Sequence, residues 1–303
     1  MTSSEAEPEK TGGLSGRAIR ILRATQLPFY VGPVTIWAML FMVFPLLIVL
    51  YYSFLSTDVF GIIQPGFSLE NYKFITEPRL YTIVLRSFSY TIFTTVTCLV
   101  IGYAVAYWIA VYGGRWRLYL LFLIILPEWT AYLIRLYAMR NIIGRNGVLN
   151  SFLMEFNIIS EPLEILYTPF AVLLGLVYTW LPFTILPLYA TLMGLDPAML
   201  KAASDLGAPP LQRFLKVTLP LTKGGLFAAL ILVAIPSLGE WVVPQMLGGN
   251  KLMLIGSLIE FRFNIAADIP GGSAVALFLL VVVFILFYLI LKWGGEEVLE
   301  RML

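Results

Sequence analysis

Two carboxylates of this chain stand in apolar runs. Glu128 lies in Leu126-Pro127-Glu128-Trp129-Thr130, and Glu240 in Ile235-Pro236-Ser237-Leu238-Gly239-Glu240-Trp241. A carboxylate in such surroundings must be paired, hydrogen-bonded or set in a polar cavity, because burying an uncompensated charge is costly. Facing a common cavity, the two would hold an ammonium group in transit. Trp129, Tyr132, Tyr178, Trp180 and Trp241 accompany them and offer ring faces to a cation, each contact worth roughly 0.5–2 kcal/mol. Two plainer readings stay open. Either acid pairs with an arginine such as Arg86 or Arg135, and the aromatic residues are an ordinary interfacial belt. Asp268 and Glu260, further along, would serve either a charged vestibule or the docking of a partner.

Composition says what positions these groups. Of 303 residues, 59% are hydrophobic and only 13% charged, against about 45–50% and about 25% in soluble domains. One core of this size cannot hide such an excess, so the second solvent is lipid. Six segments approach the roughly 20 apolar residues a spanning helix needs: about 31–55, 82–111, 117–137, 169–192, 225–244 and 272–292. Pro127, Pro182 and Pro236 are expected to interrupt the third, fourth and fifth. Twelve of the 20 Lys and Arg residues fall on one side if the N-terminus is cytoplasmic, which places both termini there. Glu128, eleven residues beyond Arg117, then sits about 16 Å along the third span, near the midplane, and Glu240 lies nearer the outer face. The expected organisation is a cytoplasmic tail 1–28, which has no apolar stretch of a secretory signal, a transmembrane domain 29–293, and a cytoplasmic tail 294–303.

Several chemistries drop out. There is no histidine and Cys98 is the lone cysteine, which removes disulfide scaffolds, Cys/His zinc sites and Ser-His or Cys-His nucleophiles. The net charge of +2 does not suggest a nucleic-acid partner. No G-x-x-x-x-G-K-[ST] run is present, so the chain has no phosphate-binding loop of its own.

The stretch 194–222 between the fourth and fifth segments is not a plain connector. Asp196-Pro197 reads as an N-cap and first helical residue, and a short amphipathic helix should run over 197–206 and stop at Gly207. A second turn begins after Pro209-Pro210. With Ala202 and Ala203 permitting close approach, the pair forms a rigid knob suited to docking another protein rather than to catalysis. The spacing Lys201-Ala202-Ala203, then Gly207, then Val217-Thr218-Leu219-Pro220 resembles the EAA motif of binding-protein-dependent ABC importer permeases, with Lys201 where that motif carries its glutamate. The stretch Leu126 to Ala138, and Ile235 to Pro244 with Leu247-Gly248-Gly249 and Ile255-Gly256, are similar to the third and fifth spans of spermidine/putrescine-type permeases.

The resemblance covers roughly residues 30–292 and implies the following. The fold is an all-α membrane protein with six transmembrane helices, the type I ABC importer permease fold with cytoplasmic coupling helices, in a bacterial inner membrane. The chain is a permease subunit and not an enzyme. It works with a second permease, a periplasmic binding protein and two ATP-binding subunits, which hold the ATP and magnesium; this chain holds no cofactor. Those subunits would couple through Lys201, Ala202, Ala203, Asp205, Gly207 and Pro220. Apart from the resemblance, the residues themselves suggest a substrate path through Glu128, Trp129, Tyr132, Tyr178, Trp180, Glu240, Trp241 and Asp268, with a hinge from Pro236 to Gly239. The implied substrates are polyamines; relatives of this signature also carry zwitterionic amino-acid derivatives and opines. A self-contained secondary transporter would show paired broken helices in an internal repeat, and no convincing repeat is found.

Overall fold

The computed structural model describes residues 32–58, 62–249 and 252–294. The expected tail 1–28, and all of 294–303 but Gly294, lie outside them. The chain divides into two units after Tyr52. The first contains helix α1 (Gly32–Ser53) up to Tyr52; the helix has a mean hydropathy of 2.4, and most of its large apolar side chains are exposed, as befits a surface turned to lipid.

The second unit begins with a two-stranded antiparallel pair, β1 (Ser56–Thr57) and β2 (Ile63–Gln64). Asn71 anchors the start of this segment by donating its amide to the carbonyls of Ser53 and Leu55 at 2.9 and 2.5 Å. Three long helices then make the core: α2 (Pro78–Tyr112), α6 (Pro169–Met193) and α9 (Lys223–Leu238). Both α2 and α6 start with proline at the first turn, where no amide hydrogen is needed, and the Thr168 hydroxyl caps α6 by accepting from the Ala171 amide at 3.2 Å. One face of α2 is small or hydroxylated (Ser87, Thr91, Thr94, Thr95, Cys98, Gly102) and is buried. Small residues are what lets membrane helices approach closely. A Cβ at Gly102 would stand 2.7 Å from the Thr184 methyl of α6, and one at Gly225 of α9 would collide with the Thr191 hydroxyl.

The remaining elements are α3 (Gly114–Trp129), α4 (Tyr132–Ile143), α5 (Val148–Glu155), α7 (Pro197–Asp205), α8 (Pro210–Leu221), α10 (Ile255–Glu260) and α11 (Ile269–Gly294). Among the described residues four helices are long and apolar enough to cross a membrane alone; the number becomes six if each of two bent pairs counts as one span. One pair is α3 with the helical stretch Tyr132–Glu155, bent by 96°, so the expected third span 117–137 is not one straight helix. The other is α8 with α9, bent by 67° at Thr222.

Two further expectations need correction. Helix α6 runs unbroken through Pro182 and Pro187, because Pro182 is buried against the neighbouring helices and their packing outweighs the lost hydrogen bond. The fifth span is not interrupted at Pro236, which lies inside the helix; it ends as a helix at Leu238, and the chain resumes helical form only from Val242.

Candidate functional site

Two of the helix interruptions meet. After α3 tightens into a 3-10 turn over Leu126–Trp129, Thr130 and Ala131 adopt extended backbone (ψ of 151° and 134°) before α4 starts. Glu128 sits on one side of this break and Arg135 on the other, and their side chains form a salt bridge. The pair is largely enclosed, with 18% of the Glu128 side chain and 10% of the Arg135 side chain exposed. The Arg135 guanidinium also lies 5.8 Å from the centre of the Tyr132 ring, within cation–π range.

The second interruption follows α9. Gly239 ends the helix, and a Glu240 carboxylate oxygen accepts from the amides of Val242 and Val243 at 2.9 and 3.5 Å, so Glu240 caps the next helical turn. Glu240 and Thr179 are electrostatic neighbours of the Tyr132 hydroxyl. The two acids therefore stand at opposite ends of one chain of side chains: Glu128, Arg135, Tyr132, Glu240. Leu136, Ala171, Val172, Leu176, Val243 and Leu247 form the buried apolar cluster beneath it, and Tyr132 and Trp180 pack on that cluster.

Buried polar groups are nearly always hydrogen-bonded. Here Arg135 Nε and Trp180 Nε1 are buried and close no hydrogen bond among the described residues. Beside them opens a cleft of about 490 Å³, lined by Pro127, Thr130, Ile134, Arg135, Leu174 and Tyr178. The arrangement suits a guest that brings its own charge and hydrogen-bonding groups into apolar walls.

The structure thus brings Glu128, Tyr132, Tyr178, Trp180 and Glu240 to one region. Trp129 turns away, 73% exposed and edge-on to Phe122, and Trp241 is also exposed. Asp268 belongs elsewhere. It accepts from the Gly271 amide at 2.9 Å as the cap of α11, pairs with Arg262 at 3.0 Å, and lines a separate cleft of about 370 Å³ with Phe74, Glu77, Leu80 and Met253.

Two residues of the site were not among those singled out for it. The sequence offers Arg135 only as an ion-pair partner. Gly256 was noted only for its resemblance to a family pattern, yet a Cβ there would collide with the Gly239 carbonyl and stand 2.9 Å from the carbonyl oxygen of Glu240. The α10 backbone is pressed against the break that holds Glu240, and only glycine fits. Gly239 itself is under no such constraint, since a Cβ would meet nothing nearer than 3.9 Å.

The 194–222 loop is built as a second, separate site. Asp196 caps α7 by accepting from the Ala198 amide at 2.8 Å, and Gly207 closes it with φ of +77°, the left-handed conformation that glycine adopts freely. The amides of Gly207 and Ala208 return to the carbonyls of Ser204 and Ala203 at 2.9 and 3.1 Å, a Schellman closure. Arg213 of α8 donates to the Ser204 hydroxyl and ties the two short helices together. Ala203 faces inward; Lys201, Ala202, Asp205, Gly207 and Pro220 are exposed, as is Leu206. Phe214 is fixed edge-on against Tyr103 and Tyr107 of α2 at 5.4 and 5.7 Å, and the Tyr103 and Thr222 hydroxyls share a buried hydrogen bond of 2.7 Å.

Residues 98–294 match the family described as binding-protein-dependent transport system inner membrane component, and the chain belongs to that family. It is 37% identical over 265 residues to the spermidine/putrescine transport system permease protein PotB of Escherichia coli (strain K12), covering 88% of this chain and 96% of that one. To the protein of the same name from Haemophilus influenzae it is 41% identical, over 88% and 92% of the two chains. The fold is that of a chain in the crystal structure of a bacterial ABC transporter involved in import of the acidic polysaccharide alginate, with a TM-score of 0.71 over 92% of this chain and 98% of that one at 15% identity. The chain is thus a multi-pass inner-membrane permease subunit of a transport system that depends on a binding protein, and not an enzyme.

Proposed function

We propose that this subunit forms half of the translocation path of an ATP-driven importer for polyamines of the spermidine and putrescine class, delivered by a periplasmic binding protein. The observation that carries the reading is the meeting of two helix breaks. Their acids, Glu128 and Glu240, are linked through Arg135 and the half-buried Tyr132 side chain beside a cleft with apolar walls. Acids and ring faces are what a chain of methylenes carrying ammonium groups requires. The names of the relatives at 37% and 41% identity support the same substrate class.

In this reading a second permease supplies the other half of the path. Two ATP-binding subunits, holding ATP and magnesium, dock on the exposed side of α7 and α8. Both termini are cytoplasmic, by the distribution of lysine and arginine. When the ATPases close, the knob moves as one piece, because Arg213 and the Gly207 closure brace it. Phe214 transmits that movement to α2, a rigid-body shift between inward- and outward-facing states.

A second reading has its own observation. Arg135 places a guanidinium within the site, and a guanidinium pairs well with a substrate carboxylate, so a zwitterionic amino-acid derivative or an opine would also find both charges matched. The test is ATPase activity of the reconstituted complex with its binding protein, titrated with spermidine, putrescine and a zwitterionic control. Stimulation by polyamines alone, weakened in Glu240→Gln, supports the polyamine reading. Stimulation by the zwitterion alone replaces it with the second.

A further inference from the structure

One side chain already occupies the position a substrate ammonium would take. The Arg135 guanidinium touches the Glu128 carboxylate and covers the Tyr132 ring at 5.8 Å, and Tyr132 has Glu240 as its electrostatic neighbour. An arginine stays charged at any physiological pH, so this cation is permanent. Its pairing spans the break at Thr130 and Ala131, joining α3 to α4 across a 96° bend. The adjoining cleft of about 490 Å³, which Arg135 itself lines, gives the side chain room to swing aside.

We propose that Arg135 is a built-in competitor for the cation position, a tethered guanidinium that closes the path between the two acids until a substrate ammonium displaces it. The proposal rests on the polyamine reading above. Its physical content is an exchange of partners. In the resting state Glu128 is neutralised by Arg135, so a lone small cation gains little by entering. A substrate with two or more ammonium groups engages Glu240 and Glu128 together and releases Arg135 into the cleft. Selectivity for polyvalent over monovalent amines follows, because one ammonium cannot replace the guanidinium and also satisfy the second acid. Release of Arg135 also unties α3 from α4, so the same exchange loosens the bend.

The experiment uses proteoliposomes of the complete complex and measures two things: ATP-driven uptake of labelled spermidine with the binding protein, and ATP-independent leak of labelled methylammonium down its gradient. Arg135→Gln is expected to raise the leak about tenfold, the size of one lost charge-assisted contact, and Arg135→Lys about threefold, since the ammonium keeps the charge but not the planar fork. Glu128→Gln/Arg135→Gln should return the leak to the wild-type level, because the attraction for cations goes with the acid. A leak that stays raised in the double variant would trace to lost packing and overturn the proposal. So would a wild-type leak in Arg135→Gln; if that variant does not assemble, a wild-type leak in Arg135→Lys does so alone. Failure of the underlying reading looks different: Glu128→Gln and Glu240→Gln would then leave ATP-driven spermidine uptake at the wild-type level.

Discussion

The loop of residues 194–222, which joins two spans, and the paired breaks near Glu128 and Glu240, which interrupt spans, are held by different kinds of interaction. The loop is closed locally: a cap at Asp196, a left-handed Gly207, and the Arg213–Ser204 tie all lie within a few turns of one another. Phe214 and Thr222 reach across to α2. The breaks are the reverse. Glu128 depends on Arg135 across a bend, Tyr132 lies beside Glu240 from a distant part of the chain, and Gly256 supports Glu240 from another element again. A knob that must push as one piece is best closed on itself. A site that must change shape is best assembled from pieces that can move apart.

The largest test of this contrast is Gly256→Val. Its side chain meets the backbone of Gly239 and Glu240, which cannot yield without opening the break, so the expected cost is about 3 kcal/mol or more with loss of assembled complex on co-purification. Phe214→Ala is the matching change on the loop side. Removing a half-buried ring that joins knob to α2 should cost about 2 kcal/mol and, more tellingly, lower uptake per ATP hydrolysed while the ATPase rate persists. If uptake and hydrolysis fall together, Phe214 does not transmit the movement. Asp196→Ala removes one cap, about 1 kcal/mol, and should speed amide hydrogen exchange in 197–205 while leaving residues 132–143 unchanged. Gly239→Ala has the smallest expected effect, within about 0.5 kcal/mol, since its Cβ meets only ordinary contacts. A bulky residue there is expected to abolish uptake without preventing assembly; normal uptake in Gly239→Phe removes the hinge from Pro236 to Gly239.

The same contrast governs how much could be read from sequence. The caps of α7, its stop at Gly207 and the membrane class all follow from residue types and short spacings, and the structure has each where local physics puts it. Glu128 and Glu240 stood out singly because charge in an apolar run is costly. Their connection through Arg135 and Tyr132 was not legible, because it joins residues more than 100 positions apart whose contact only the packing of α3, α4 and α9 decides. Asp268 could not be placed from sequence for a related reason. Its acid satisfies the α11 amides and Arg262, and nothing in its own segment distinguishes a cap from a vestibule charge. The unbroken course of α6 through Pro182 shows tertiary packing overruling a local rule.

Helix α2 has one more consequence. Its 35 residues extend about 52 Å, against a hydrocarbon layer of about 30 Å, so the surplus has to be absorbed by tilt or by protrusion. Near one end its Leu80 and Ile83 line the cleft that holds Asp268, and further along Tyr103 and Tyr107 receive Phe214. Tilting a stiff rod displaces both of these places at once. Acyl-chain length, which sets how far the rod must lean, is therefore expected to shift both places together.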